Sequence, residues 1–289
     1  MRSIRQDTPV SIRRLARASQ EASSTLGTWV AQARAEQRAP RPRPVADDPN
    51  LRLRVRALCE EPRNRTFGYR RIWALLRREG FGVNRKSVGR IMREEGLCRA
   101  RVRRREARPR RVERMSPERP NQAWQIDMTS FQLSNLTPLY LVVTTDCCTR
   151  QIVGWTLERR CRAGEWTSAV RMALEARRLT DKEECKGLVL RSDNGSQPCS
   201  KAFVEFLGKK GVRGQYTGYN APDDNAYVER TIRTIKEEEI WPNAYDTFFE
   251  AHKAIDEYVK YYNERRIHSA IGYRTPNEEE ARHIALNAA

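Results

Sequence analysis

Apolar positions change their period repeatedly along residues 120–265, and each change marks a boundary between elements. Three strand-like runs come first, at 124–131, 139–145 and 151–157, the second rich in β-branched residues, joined by short turns, which predicts three consecutive strands. In residues 164–178, Trp166, Val170 and Leu174 recur at helical spacing. A short apolar run at 187–191 reads as a buried strand, 201–209 as a helix and 214–216 as a short strand. A polar loop at 218–225 leads to helices at about 226–240 and 246–263. Three strands followed by strands interleaved with helices predict a mixed α/β sheet covered by helices.

Upstream the pattern is helical throughout. Leu51, Val55 and Leu58 open a helix near Asn50, and Ile72, Leu75 and Leu76 mark a second over 68–79. Gly80 and Gly82 break it, Asn84 is a good N-cap for a third helix carrying Val88, Ile91 and Met92, and Gly96 closes that helix. Two short helices around a tight glycine turn form a helix-turn-helix pattern, with Arg85, Lys86 and Arg90 on the second helix, the one that enters a major groove. A plain helical hairpin with solvated charges fits the same pattern. Residues 11–33 carry a weaker helical signal, and Pro40, Pro42 and Pro44 alternate with arginine in a semi-extended linker. The expected organisation is an arm and linker at 1–45, a helix-turn-helix region at 46–98, an arginine-rich linker at 99–119, a catalytic core at 120–265 and a tail at 266–289.

Charge sharpens this picture. The net charge is +18, and residues 1–120 hold 32 of the 55 Lys and Arg but only 13 of the 37 Asp and Glu. The rest of the chain is close to neutral. Such a basic block suits a polyanion, because each neutralised phosphate releases counterions. The densest stretch, 99–114, contains Arg101, Arg103, Arg104 and Arg105, and is suited to tracking phosphates between two modules. Seven cysteines without a Cys-x-x-Cys pair indicate neither a disulfide framework nor a cysteine-based zinc site, and a reduced cytoplasmic setting is expected. No stretch approaches the length of a membrane span.

Three acids then stand out. Asp127 lies in the first strand run and Asp193 just past the 187–191 strand, while Glu229 opens a helix with 35 residues between it and Asp193. Each alone has an ordinary explanation: Asp193-Asn194-Gly195 is a turn signal, and Glu229 suits a solvated helix surface. Together they can build a two-metal phosphoryl-transfer site, because Mg²⁺ takes hard oxygen ligands. Val228, Ile232 and Ile235 form an apolar seam, and Glu229, Arg233 and Lys236 form a polar stripe beside it. Packing the seam on the sheet turns Glu229 toward the strand ends, with Lys236 placed to hold a DNA phosphate. Glu237, Glu238 and Glu239 read as solvated charge. Trp124 reads as core, Trp241-Pro242 as a helix stop, and His268 equally well as a phosphate contact or as packing.

At these residues the sequence resembles the second-frame proteins of insertion-sequence-three-family transposases, which carry a retroviral-integrase-like core. The resemblance spans roughly residues 67–280. It rests on Phe67-Gly68-Tyr69-Arg70-Arg71-Ile72, on Trp124 three residues before Asp127, and on Arg191-Ser192-Asp193-Asn194-Gly195. It rests also on Ala221-Pro222-Asp223-Asp224-Asn225-Ala226 leading to Glu229, and on Tyr262-Asn263-Glu264-Arg265-Arg266-Ile267-His268 before Thr275-Pro276. The sequence departs from the family at Ile126, Met128, Ile267 and the 196–199 stretch. The resemblance implies a ribonuclease-H-like fold and Asp127, Asp193 and Glu229 as catalytic acids on two Mg²⁺ ions, replaceable by Mn²⁺, with Asp127 shared by both. It implies Lys236 on the element's end with Asn225 as supporting loop, double-stranded DNA as substrate, a homo-oligomer on DNA, and a separate first-frame protein as possible partner. The alternatives are a non-catalytic DNA-binding relic or repressor, which the intact acids disfavour, and a nuclease for RNA hybrids or junctions.

Overall fold

The computed structural model describes residues 48–98, 117–217 and 225–288. The expected helices in 11–33, the proline–arginine linker, the run containing Arg101, Arg103, Arg104 and Arg105, and loop residues 218–224 lie outside these.

Three helices form the first unit: α1 (Pro49–Glu60), α2 (Tyr69–Arg78) and α3 (Arg85–Glu94). Each start has a local cause. Asp48 accepts a hydrogen bond from Asn50 N with Pro49 in the first turn, and Asn84 accepts one from Lys86 N at 2.8 Å, as its sequence position predicts. Gly96, at φ +66°, lets the chain leave α3 through the left-handed region. Leu51, Val55, Leu58, Ile72, Leu76, Val88, Ile91 and Met92 meet in one small core.

The second unit is a five-stranded sheet. Its strands are β1 (Ala123–Gln132), β2 (Pro138–Asp146), β3 (Ile152–Glu158), β4 (Val189–Ser192) and β5 (Arg213–Tyr216), in the order β3-β2-β1-β4-β5. β1–β2 and β2–β3 are antiparallel, whereas β1–β4 and β4–β5 are parallel. This is the mixed ribonuclease-H-like sheet expected from the sequence. Helices α4 (Ala163–Ala176) and α5 (Lys201–Lys210) cover one face, packing Trp166, Val170 and Phe203 on Trp124, Ile126 and Leu190. Trp124 is fully buried and its indole N–H reaches Asp146 Oδ2 at 3.1 Å, so it belongs to the core. Gly154 permits this packing: a Cβ there would lie 2.1 Å from the Ala169 carbonyl oxygen.

Helices α6 (Ala226–Ile235) and α7 (Phe248–Glu264) cover the other face. The seam Val228, Ile232, Ile235 is buried as its spacing predicts. One π-helical turn, Lys236–Ile240, extends α6 and ends at the exposed Trp241. Helix α8 (Pro276–Ala288) completes the chain.

That π turn corrects one expectation. Glu238 and Glu239 are buried rather than solvated. Glu238 accepts from Arg266 Nη2 at 2.7 Å and Nε at 2.8 Å, from the Tyr258 hydroxyl at 2.8 Å and from the Thr66 hydroxyl at 2.5 Å. Glu239 pairs with Arg63. Burial alone would raise the Glu238 carboxyl, but Arg266 and the two hydroxyls outweigh it and hold the group below its ordinary value. Two adjacent acids thus fasten the three-helix unit, through Arg63 and Thr66, to the helix that carries Glu229. The expected tail at 266–289 joins this interlock: Arg266 is in the network, Ile267 sits in the three-helix core, and Arg78 pairs with Glu278 on α8. Only the docking partners explain the burial, and the period of α6 alone does not contain them.

Removing one member of such a buried pair strands the other. Glu238→Gln is expected to cost about 3–5 kcal/mol of unfolding free energy in urea titrations, whereas Glu238→Met with Arg266→Met costs far less. A loss below about 1 kcal/mol in the single variant would show that the pair does not secure this interface.

Candidate active site

Strand alternation decides which side chains meet. Trp124, Ile126 and Leu190 point toward α4 and α5, so Gln125, Asp127 and Arg191 face the α6 side. In the parallel β1–β4 ladder Gln125 is paired with Arg191. Asp127 lies two residues further along β1 on that face, and Asp193 follows Ser192, the last residue of the neighbouring strand β4. β1 continues past this point paired with β2, with Asp127 opposite Val143, while β4 ends at Ser192. The Asp-Asn-Gly turn is real as well: Asp193 Oδ1 accepts from Gly195 N at 3.1 Å, and Asn194 Nδ2 donates to Thr217 O at 2.7 Å. The turn that explains Asp193 locally also delivers it to the sheet edge.

Glu229 is exposed in the first turn of α6, one residue after the buried Val228. Asp127 is half-buried, and Oδ1 accepts from Met128 N at 2.7 Å. Burial raises its carboxyl to about 6; the Met128 N–H opposes this, the charges of Asp193 and Glu229 add to it, and Lys236 offsets part of it. Asp193, Glu229 and Lys236 thus all lie near enough to act on Asp127. Among the described residues, no three Asp, Glu, His or Cys side chains stand close enough to grip a metal ion as they are.

The other expected residues separate. Lys236 is half-buried at the start of the π turn, beside the acids. Arg233 is held by Glu237 through Nε at 2.6 Å. Arg85 and Lys86 are exposed on α3, and Arg90 lies 3.7 Å from Glu94. Asn225, which the resemblance places toward DNA, is instead buried, with Nδ2 donating to Ile126 O at 3.3 Å. It braces the start of α6 against β1. His268 stacks edge-on against Tyr262, with centroids 4.8 Å apart. Burial, with Arg266, Arg71, Arg150 and Arg230 nearby, pushes it down to about 2, so it packs as a neutral ring away from the acids.

Two buried polar residues at the site were given no role by the sequence: Gln125, and Arg191, whose Nη2 donates to Gln215 Oε1 at 3.2 Å across β4–β5. The available signal was a polar residue at an inward position two places before each aspartate.

Comparison with known proteins agrees with this architecture. Integrase core domain models match residues 117–220 and 210–276, and an HTH-like domain model matches residues 46–106. The transposase InsD of Escherichia coli insertion element IS2 is 30% identical over 241 residues, covering 80% of this chain and 78% of InsD. A 48.2 kDa protein of Escherichia coli insertion element IS2A is 30% identical over 250 residues; the match takes in 83% of this chain but spans 58% of that longer protein. The HTLV-2 integrase catalytic core domain, solved in complex with magnesium, is 21% identical with a TM-score of 0.44, over 56% of this chain and 98% of that one. The two domain matches and the likeness to InsD define a transposase with an integrase-type core. The chain belongs to the insertion-sequence transposases, and the insertion-sequence-three family fits.

The raised Asp127 carboxyl has a sign. The native group keeps its proton to about pH 6, whereas an unfolded aspartate releases it at about 4, so the ionised form costs native stability above that window. Asp127→Asn is expected to stabilise the metal-free protein by about 1–2 kcal/mol at about pH 8, discounted for partial exposure, and to change little at about pH 4. Urea titrations at both values check this, and equal effects at the two would refute it.

Proposed function

We propose that this chain is a DNA transposase that uses Asp127, Asp193 and Glu229 to cleave the ends of an insertion sequence and join them to target DNA. The observation that supports the reading is that β1, which carries Asp127, pairs in parallel with β4, which Asp193 directly follows, and is hydrogen-bonded to the first turn of α6, which carries Glu229. Water attacks the phosphodiester at the element's 3′ end, the bond to the bridging oxygen breaks, and a free 3′-OH remains on the element. That hydroxyl then attacks a target phosphodiester in line, with no covalent protein intermediate.

The donor set is all carboxylate oxygen, which suits Mg²⁺, with Mn²⁺ as substitute; Asp127 is raised by burial first and then by the charges of Asp193 and Glu229, and a cation offsets both. Asp127, on which both other acids act, would hold the ions together with Asp193 and Glu229. When bound, such ions lower the pKa of the attacking water and stabilise the leaving oxygen. The protein's own part is to hold the acids on one edge and to clamp phosphates. Lys236 sits beside the acids to hold the element's end, with Arg233 further out. Arg85, Lys86 and Arg90 on α3 read duplex DNA, and Arg101, Arg103, Arg104 and Arg105 follow its phosphates. Two element ends must be brought together, so the chain acts as a homo-oligomer on double-stranded DNA in the cytoplasm, with a first-frame protein as further partner.

Asp193→Asn is expected to lower Mg²⁺-dependent cleavage of a labelled duplex, carrying the terminal repeat that flanks this coding region, by roughly 10³-fold or more while DNA binding survives. Cleavage at the wild-type rate would overturn the assignment.

A further inference from the structure

The first turn of α6 begins beside the sheet without a cap of its own. Asn225 occupies the cap position but its side chain makes no capping hydrogen bond. The N–H groups there still need acceptors, since the first turn of any helix leaves them unpaired within the helix. Gln125 supplies one from another element. Its side chain is 1% exposed, and Oε1 accepts from Tyr227 N at 2.9 Å and from Val228 N at 3.1 Å. A side chain on β1 thus performs the work that a cap residue normally does.

The position of this clamp matters more than its presence. On the strand, Gln125 is two residues before Asp127 and points to the same face. On the helix, its second partner, Val228, directly precedes Glu229. A return bond runs from Asn225 Nδ2 to the carbonyl of Ile126, between Gln125 and Asp127, at 3.3 Å. Two straps therefore cross between strand and helix, one in each direction, and each ends within a few residues of an acid. Asp193 directly follows β4, and the β1–β4 ladder ties that strand to the one carrying Asp127. Glu229 comes from an element that shares no ladder with β1, and hydrogen bonds between its neighbours and β1 do for it what the ladder does for Asp193.

We infer that Gln125 is a positioning residue for the acid site, fixing the separation of Asp127 and Glu229 by capping the helix that carries Glu229. The inference rests on the catalytic reading above. It explains why a buried amide stands in an otherwise apolar strand segment between Trp124 and Ile126. Hydrogen bonds that orient the groups around a metal ion are a large part of its affinity, so loosening them weakens cation binding without removing a ligand.

The test uses the full chain and Mn²⁺ alone, followed by electron paramagnetic resonance, together with cleavage of the labelled terminal-repeat duplex. Gln125→Met keeps size and burial but offers no oxygen to the two N–H groups. It is expected to weaken Mn²⁺ binding by about tenfold and to slow cleavage by about 10–100-fold, with faster amide exchange at Tyr227 and Val228. Gln125→Glu restores an acceptor and is expected to recover most of the Mn²⁺ affinity. Asn225→Ala removes only the return strap and is expected to weaken Mn²⁺ binding in the same direction; it carries the test if Gln125→Met does not fold. Wild-type Mn²⁺ affinity in a folded Gln125→Met or Asn225→Ala protein would overturn the inference. So would a cleavage loss that merely follows the unfolded fraction. Asp193→Asn, run in parallel, separates the two levels: full cleavage there overturns the catalytic reading and this inference together, whereas its loss beside an unaffected Gln125→Met overturns the inference alone.

Discussion

Parallel pairing between β1 and β4 is the constraint on which the rest of the site depends. The two strands are far apart in sequence, and the crossover between them wraps β2, β3 and α4 around the sheet. Once paired, they share a register, and strand alternation sends Gln125, Asp127 and Arg191 to one face. The opposite face is filled by Trp124, Ile126 and Leu190 against α4 and α5. Slipping the ladder by one residue would carry Asp127 into that apolar layer and a tryptophan out of it, so the hydrophobic pattern itself protects the position of the acid. Chemistry at the sheet edge is thereby secured by packing on its far side.

A second consequence concerns how the helical unit is attached. The helix carrying Glu229 passes through a π turn and ends in Glu238 and Glu239, which hold Arg63, Thr66, Tyr258 and Arg266. Buried ion pairs contribute less net stability than apolar packing would, but they are demanding in direction. The orientation of the helix-turn-helix pattern relative to the sheet is thus set by a polar interlock at the end of α6, and Ile267 adds an apolar anchor from the segment after α7.

The basic half of the chain also looks different in three dimensions. Much of its charge in the described residues is internally matched: Arg52 with Glu94 and Glu95, Arg54 with Glu79, Arg56 with Glu95, and Arg78 with Glu278. Raw net charge overstates what is offered to a polyanion. The cations that remain directed outward on α3 are few and grouped, which favours a defined contact over a diffuse basic coat.

Local pattern was enough to read the elements. Three strands, the amphipathic helices, the Asn84 cap and the buried seam on α6 all follow from spacing and residue type, because period and capping are properties of a few neighbouring residues. The sequence could not show that Glu238 and Glu239 turn inward, that Asn225 is buried, that His268 is a neutral packing ring, or that Gln125 caps a helix about a hundred residues away. Each depends on a partner brought in by tertiary contact: Arg266 and Thr66 for the glutamates, Ile126 for Asn225, Tyr262 and nearby arginines for His268, Tyr227 and Val228 for Gln125. A polar side chain's role is set by what it faces, and only the folded chain decides that, whereas its place on a strand or helix is already written in the periodicity of its neighbours.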